Sequence, residues 1–356
     1  MLGVKYAQGF AAGLVERDFL DDRLVNQPPK QFRRTRWTNR VSMAYLAGMG
    51  RLVHKEVGGI RVVGFSLGGE ETVVGVPEYS TCFDIGRAPR EIISIDNVCL
   101  SHGHMDHAAG IAYYFSQRAF LGNSPGRVIA HHGLAPHIQA LMAVWADIEG
   151  HPSPGEVRAV RHLDEVEIRK GLMVRAFNVN HPGCALGFTL VEVRHKLKAE
   201  FQGKTGPELV ALKRAGVAIE TPVEHAIVTF TGDTAIGAFL DLDFVRNSRV
   251  LIVECTFFDP EHRLRARAGR HIHVDDLPQV YAAVPAAQIL LTHVSRRTEM
   301  RIAKRILERA IQPSDHSRTG FLMDRPARPR RYGEARPGRN DYETPNQPEH
   351  SRTGRT

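Results

Sequence analysis

Seven consecutive residues, Ser-His-Gly-His-Met-Asp-His at 101–107, constrain this 356-residue chain more than any other stretch. Four potential metal ligands fall within them: His102, His104, Asp106 and His107. The apolar run at 98–100 leads directly into these residues, which predicts a buried strand ending in a ligand-bearing loop. Such a loop can aim several side chains at one point while the sheet fixes their backbone. Three imidazoles and a carboxylate at this spacing suit one zinc ion or a pair.

The same order, an apolar run and then a ligand or acid/base residue, recurs along the chain. Runs at 172–179, 226–230, 250–253 and 289–292 are followed by His181, Asp233, Glu254 and His293, respectively. A polar loop that contains histidines by chance does not explain ligand types that follow five strands. The pattern therefore predicts an α/β sandwich whose strand ends hold a metal centre.

Composition sets the class of protein and the compartment that we expect. Hydrophobic content of 42% and charged content of 24% are ordinary for a soluble globular protein. No apolar run reaches the roughly 20 residues of a membrane helix, and no signal peptide is expected. The four cysteines are widely spaced and indicate reduced thiols in a cytoplasmic protein: Cys82, Cys99, Cys184 and Cys255. A net charge of +8 is compatible with a nucleic-acid partner but does not demonstrate one.

Three segments are predicted: an N-terminal extension of uncertain structure at 1–58, a folded domain that carries the metal motif at 59–312 and a disordered basic tail at 313–356. The extension has a basic stretch around Phe32 and Trp37 that could contact nucleic acid or form a solvated surface. Translation from Met43 or Met49 would remove most of it. The tail is rich in Pro, Arg and Gly without periodicity, which is typical of disorder.

Several runs together resemble one known family. His-x-His-x-Asp-His at 102–107 resembles the signature of the metallo-β-lactamase superfamily. Further runs are similar to ribonuclease Z (tRNase Z), the endonuclease that removes the 3′ trailer from precursor tRNA, and to its short plant-like members. The runs are Gly-Phe-Ser-Leu-Gly-Gly-Glu-Glu-Thr (64–72), Cys-Phe-Asp-Ile-Gly-Arg (82–87), Arg-His-Lys-Leu-Lys (194–198), Phe-Thr-Gly-Asp-Thr (230–234), Glu-Cys-Thr-Phe (254–257) and Leu-Thr-His-Val-Ser (291–295).

The resemblance implies an αβ/βα four-layer sandwich, a homodimer and two zinc ions per chain. His102, His104 and His181 would hold one ion. Asp106, His107 and His293 would hold the other, and Asp233 would bridge the two. The two cations would lie about 3.5–4 Å apart and need negative charge between them.

The resemblance also implies the catalytic residues. Asp106 would assist as general base. Glu254 and His271 match the pair that delivers a proton to the leaving 3′ oxygen, and His273 is a competing candidate for the histidine.

Two departures from the family pattern concern the substrate more than the metal ligands. Arg270 stands where glycine is common, and Thr298 stands where tyrosine is common. The long Gly/Pro-rich arm of many members is not evident, and the basic, partly helical segment 194–219 is the only candidate for it. Two alternatives stay open: a hydrolase of a small phosphodiester or ester, and a metal-free RNA-binding homologue.

Overall fold

The structure, a computed structural model, describes residues 52–324. Our predictions for residues 1–51 and 325–356 lie outside this range. The strands of the described part are β1 (Val53–Val57), β2 (Ile60–Gly68), β3 (Glu71–Val76), β4 (Thr81–Phe83), β5 (Asn97–Leu100), β6 (Gly126–His131), β7 (Gly155–Val160), β8 (Glu165–Arg169), β9 (Leu172–Asn178), β10 (Leu186–Leu197), β11 (Glu220–Phe230), β12 (Val250–Glu254), β13 (Gln288–Thr292), β14 (Val294–Ser295) and β15 (Thr319–Phe321). The α-helices are α1 (Met105–Ala108), α2 (Ile111–Phe120), α3 (Ala135–Glu149), α4 (Gly206–Arg214), α5 (Asp243–Arg246), α6 (Arg263–Gly269), α7 (Leu277–Ala283), α8 (Met300–Ala310) and α9 (Pro313–His316).

The strands form two mixed sheets. The first sheet has the order β1-β2-β3-β4-β5-β6-β7, and β14 pairs with its strand β2. The second sheet has the order β15-β13-β12-β11-β10-β9-β8. In each sheet the neighbours are antiparallel on one side and parallel on the other, where helices connect the strands.

Alternation along the central strands divides the apolar side chains among three core layers. In β12, Val250 and Ile252 join the core between the two sheets, whereas Leu251 and Val253 face helices α7 and α8. The outer face of the first sheet packs on α2 and α3 in the same way. Both faces of these strands are buried, which explains why they are continuous apolar runs in the sequence. The layers are helix, sheet, sheet and helix, so the predicted four-layer sandwich is confirmed.

Both boundaries of the folded domain predicted at 59–312 need correction. Strand β1 lies before residue 59 and pairs with β2 over its whole length. Beyond residue 312, helix α9 and strand β15 are ordered, and β15 pairs with β13 at the edge of the second sheet. Phe321 and Leu322 are buried there. The prediction missed β15 because an edge strand of three residues carries too short a pattern to recognise.

The predicted excursion at 194–219 is a projecting arm. Strands β10 and β11 continue as an antiparallel pair to Leu197 and Glu220, beyond the buried part of the sheet, and α4 lies at the tip. Thr205 and Glu208 form a capping box at the start of α4. None of the α4 residues is buried, so this helix depends on its caps more than on packing. Within the described residues, no helix has both the length and the apolar character needed to span a membrane.

Candidate metal centre

The histidine motif lies where the sequence predicts it, at the carboxyl end of a buried strand. Strand β5 ends at Leu100, and the loop passes Ser101 before entering the single-turn helix α1. His102 and His107 are buried, whereas His104 is at the exposed mouth. His102 Nε2 and His104 Nδ1 are 2.9 Å apart, so the two rings address the same point.

The remaining predicted ligands come from three separate connections of the second sheet. His181 follows β9, Asp233 follows β11, and His293 lies where the chain leaves β13 to enter β14 of the first sheet. His293 has a φ of 60°, a left-handed conformation that is uncommon for a side-chain-bearing residue. Its backbone N–H donates to Ser66 Oγ, 2.9 Å away, which fixes this turn against the first sheet.

Glycine is required in the Thr-Gly-Asp-Thr turn that brings Asp233 to the site. Gly232 has a φ of 62°, and a Cβ at this position would lie 2.6 Å from Ser101 Cβ. The turn therefore combines a left-handed backbone with a close approach to the histidine loop, and only glycine satisfies both.

Asp233 lies between two groups of ligand atoms. One group comprises His102, His104, His181 and Asp233, and another comprises Asp106, His107 and His293. Asp233 Oδ2 is 3.8 Å from His102 Nε2 and 3.4 Å from both His107 Nε2 and His293 Nε2. Asp106 Oδ2 is 3.5 Å from the same nitrogens of His107 and His293. A carboxylate that touches both groups has the position expected of a bridging ligand.

The buried nitrogens of this cluster fit a divalent cation. Among the described residues, five buried side-chain nitrogens have no hydrogen-bond partner. Four of them belong to the cluster: His107 Nε2, both ring nitrogens of His181, and His293 Nε2. Leaving buried polar atoms unpaired costs about 1–3 kcal/mol each, so a group of them facing carboxylates indicates a site built for a cation.

The pKa values of the buried histidines also fit a cation in the cluster. Burial, followed by neighbouring imidazoles such as His107, lowers the pKa of His102 to about 2, which leaves its ring neutral and able to bind a metal. Burial alone would lower the pKa of His107, but Asp233 and Asp84 raise it well above its usual value. The carboxylates therefore impose a negative field on this point, which positive charge relieves.

A buried carboxylate that the sequence reasoning gave no role lies behind the first ligands. Asp84 Oδ2 accepts from His107 Nδ1 at 2.7 Å and from Ser101 Oγ at 2.9 Å, while Oδ1 accepts from the Ser101 backbone N–H at 2.7 Å. Ser101 Oγ also lies 3.0 Å from His102 Nδ1. Asp84 directly follows strand β4, so the pattern of an acid after a strand end, which identified the other acids, also applies to it.

A second buried carboxylate, Glu254, lies behind the ligands of the second sheet. Its Oε1 accepts from His271 Nδ1 at 2.8 Å and its Oε2 from Thr256 Oγ1 at 2.5 Å. Glu254 is 1% exposed, whereas the His271 side chain is 18% exposed and also within reach of Asp233 and His293. Burial alone would lower the pKa of His271, but the Glu254 carboxylate raises it to about 9.

His273, the competing candidate, has a structural environment. Its side chain is 1% exposed, and it caps a short 3-10 helix by accepting from the Asp275 backbone N–H. Its other ring nitrogen lies 3.0 Å from the Asp259 carbonyl oxygen. Both nitrogens are thus occupied away from the cluster, and of the two histidines only His271 faces it.

Comparison with known proteins identifies the family of this chain. The model of the Beta-lactamase superfamily domain matches residues 80–294. A tRNase Z of Arabidopsis thaliana is 31% identical over 246 residues, which cover 68% of this chain and 88% of that protein. A chloroplastic tRNase Z of the same plant is 29% identical over 246 residues, covering 66% of this chain and 68% of that protein.

Among solved structures, the short form of human tRNase Z is similar with a TM-score of 0.44 and 16% identity, covering 67% of this chain and 87% of that one. The family assignment rests on the sequence matches, which confirm the predicted resemblance. This chain belongs to the metallo-β-lactamase superfamily of metal-dependent hydrolases and, within it, to the ribonuclease Z family.

Proposed function

We propose that this protein is a zinc-dependent endoribonuclease that removes the 3′ trailer from precursor tRNA. The observation that carries the proposal is the convergence of seven side chains in two groups, with Asp233 of the first group also 3.4 Å from His107 Nε2 and His293 Nε2 of the second. It occurs in a chain that is 31% identical to a plant tRNase Z over 88% of that protein. Imidazole and carboxylate donors without cysteine suit zinc in a hydrolytic site.

The proposed metal ligands divide as the two groups do. His102, His104 and His181 would hold one zinc ion, and Asp106, His107 and His293 would hold the other. Asp233, which lies close to both groups, would be shared. When bound, a zinc pair supplies a water nucleophile activated near neutral pH and positive charge beside the phosphate oxygens.

Two further roles are assigned to side chains of the cluster. Asp106 Oδ2 accepts from the Gly69 backbone N–H at 3.0 Å, which fixes the carboxylate beside His107 and His293. From this position Asp106 accepts the proton of the attacking water as general base. The water oxygen forms a bond to phosphorus, and the bond from phosphorus to the 3′ oxygen breaks.

His271 is proposed to donate a proton to the leaving 3′ oxygen. Its ring is partly exposed at the site, and its Nδ1 donates to Glu254, which leaves Nε2 for the substrate. Glu254 is too deeply buried to contact RNA. It therefore acts through His271 by fixing the orientation of the ring and stabilising its protonated form.

The arm at 194–219 is proposed to bind the tRNA backbone. Lys196 and Lys204 are exposed on it, and Lys198 is half-buried at the end of β10. Arg214 is exposed at the end of α4, whereas Lys213 pairs with Glu220 at 2.8 Å. Exposed cations on a projecting hairpin suit phosphate binding, since neutralising phosphates dominates nucleic-acid affinity.

A homodimer is also proposed, and the surface of α3 supports it. This 15-residue helix is largely apolar, yet only Ala135 and Ile138 are buried. Val144 is 56% and Ile148 is 64% exposed. A contiguous apolar surface of this kind suits a second subunit. Light scattering after gel filtration should give a dimer for the wild type and a monomer for V144D/I148D; a monomeric wild type would refute the dimer.

The test of the function uses a precursor tRNA with a 3′ trailer and, in parallel, bis(p-nitrophenyl) phosphate. The expected result is cleavage after the discriminator base by the wild type and none by His104→Ala. Cleavage of the small diester alone would replace the tRNA assignment by the alternative of a small-substrate hydrolase. Protein that contains no zinc and is not stabilised by added zinc would instead be the metal-free homologue.

A further inference from the structure

We propose that Thr256 is a positioning residue that fixes the tautomer of His293 through a hydroxyl relay from Glu254. The inference deepens the proposed function, on which it rests for the identity of the metal. Thr256 lies two residues after Glu254 at the end of β12, and it is 4% exposed. Its hydroxyl is directed at Glu254 and His293.

The hydrogen bonds of Glu254 leave no free position on its carboxylate. Four donors reach it: the Thr234 backbone N–H at 2.7 Å and His271 Nδ1 at 2.8 Å on Oε1, and Thr256 Oγ1 at 2.5 Å and the Ile272 backbone N–H at 3.3 Å on Oε2. A carboxylate offers about four lone-pair positions, so all are used. Each of these partners must therefore supply the proton of its own bond.

The Thr256 hydroxyl has a single proton, which the bond to Glu254 consumes. Thr256 Oγ1 also lies 2.9 Å from His293 Nδ1. The hydroxyl has only lone pairs left for this contact, so His293 Nδ1 must carry the proton and donate it. Neutral His293 then has its lone pair on Nε2, which lies 3.4 Å from Asp233 Oδ2 and has no hydrogen-bond partner.

The backbone around Thr256 holds the relay in place from both sides. The Thr256 N–H donates to the Ile272 carbonyl oxygen at 3.2 Å, and the Ser295 N–H donates to the Thr256 carbonyl oxygen at 2.9 Å. These bonds connect the residue to the segment that carries His271 and to the strand that follows His293. One buried carboxylate can in this way orient two histidines, His271 directly and His293 through a hydroxyl.

The first sheet contains an equivalent arrangement of carboxylate, hydroxyl and imidazole. Asp84 holds His107 directly, and the Ser101 hydroxyl, which donates to Asp84, lies 3.0 Å from His102 Nδ1. In each sheet one hydroxyl lies between a buried carboxylate and an imidazole. This recurrence indicates that neither contact is incidental. Partners of this kind determine which ring nitrogen is free for a metal.

The test compares the zinc affinity of purified, zinc-loaded protein by competition with a chelator. Thr256→Val removes the hydroxyl at nearly constant volume and should weaken binding of the zinc ion that His293 is proposed to hold by roughly 10- to 100-fold. Thr256→Ser keeps the hydroxyl and should keep the affinity at about the wild-type level. Thr189→Val is the matched control, because Thr189 Oγ1 lies 2.8 Å from Thr229 Oγ1 in an equally buried hydroxyl pair. It should leave zinc affinity unchanged.

A second measurement does not depend on the folding of any variant. In wild-type protein labelled with ¹⁵N-histidine, His293 should show a protonated Nδ1 and a zinc-bound Nε2. A proton on Nε2, or equal zinc affinity in Thr256→Val and wild type, would overturn the inference. Failure of the wild type to cut precursor tRNA would instead count against the proposed function, since neither measurement uses RNA.

Discussion

The two sheets contribute to one candidate metal centre in different ways. The first sheet supplies four proposed ligands from a single loop, residues 102–107, whereas the second supplies His181, Asp233 and His293 from three connections far apart in sequence. Behind each set lies one buried carboxylate, Asp84 or Glu254. Each carboxylate accepts a hydrogen bond from one histidine and another from a hydroxyl that lies beside a second histidine. Orientation of the ligands is thus built alike in both sheets.

The difference lies in what the directly held histidine does. His107 is completely buried and points at Asp106 and Asp233, so its orientation serves the proposed metal binding. His271 is partly exposed, and its orientation serves the proposed proton transfer. Substitutions that remove equivalent carboxylates should therefore have unequal effects on metal content and turnover.

The largest effect is expected at Asp233, the ligand that the two groups share. Asp233→Ala should lower cleavage of precursor tRNA by at least about 10³-fold and remove both zinc ions, because two cations would lose the charge between them. Metal analysis beside a cleavage assay measures both. Asp241→Ala removes an exposed acid in the connection that follows Asp233; it is the control and should keep zinc and activity. Retention of both ions by Asp233→Ala would contradict the shared role.

Glu254→Ala should come next in size. We expect turnover to fall by about 10²-fold or more even when excess zinc keeps the site loaded, because His271 loses its direct carboxylate partner. Zinc affinity should fall no further than in Thr256→Val, since Glu254 reaches the proposed ligand His293 only through that hydroxyl. Single-turnover cleavage and zinc analysis on the same preparation separate the two quantities. Turnover that recovers fully with excess zinc would mean that Glu254 chiefly supports the metal.

Asp84→Ala should give the opposite pattern. Its removal leaves His107 Nδ1 and the Ser101 hydroxyl buried without an acceptor, at about 1–3 kcal/mol for each group. Zinc affinity should fall by roughly 10- to 100-fold. Turnover should recover when excess zinc refills the site. Chelator competition and thermal unfolding check this, and a variant that stays inactive when loaded with zinc would remove the contrast with Glu254.

The smallest effect is expected on the arm, outside the centre. Lys204→Ala/Arg214→Ala should raise KM for precursor tRNA a few-fold. The slope of log binding constant against log salt concentration should become shallower by about one to two, because binding releases fewer counterions when two phosphate contacts are missing. Hydrolysis of bis(p-nitrophenyl) phosphate should not change, because both residues are far along the arm. An unaltered salt dependence would exclude this arm from the RNA interface.

The sequence predicted most of the first sheet's contribution because it is local. An apolar strand followed by four ligands in six positions needs no tertiary information, and the strand-end rule extended it to His181, Asp233 and His293. The same rule applied to Asp84 but was not used there. By contrast, β1 and β15 are edge elements whose few residues become strands only by pairing with β2 and β13.

What the sequence determined by itself was the set of ligand types, the alternation of strands and helices, and the family. Only the tertiary structure distinguished His271 from His273 as the candidate proton donor. The two residues are only two positions apart in sequence, but the ring of His271 contacts Glu254 whereas the ring of His273 caps a short helix. The tertiary structure also decided that Thr256 joins Glu254 to His293. Hydrogen bonds between residues 37 positions apart depend on how the strands are ordered in the sheet, and spacing along the chain does not encode that order.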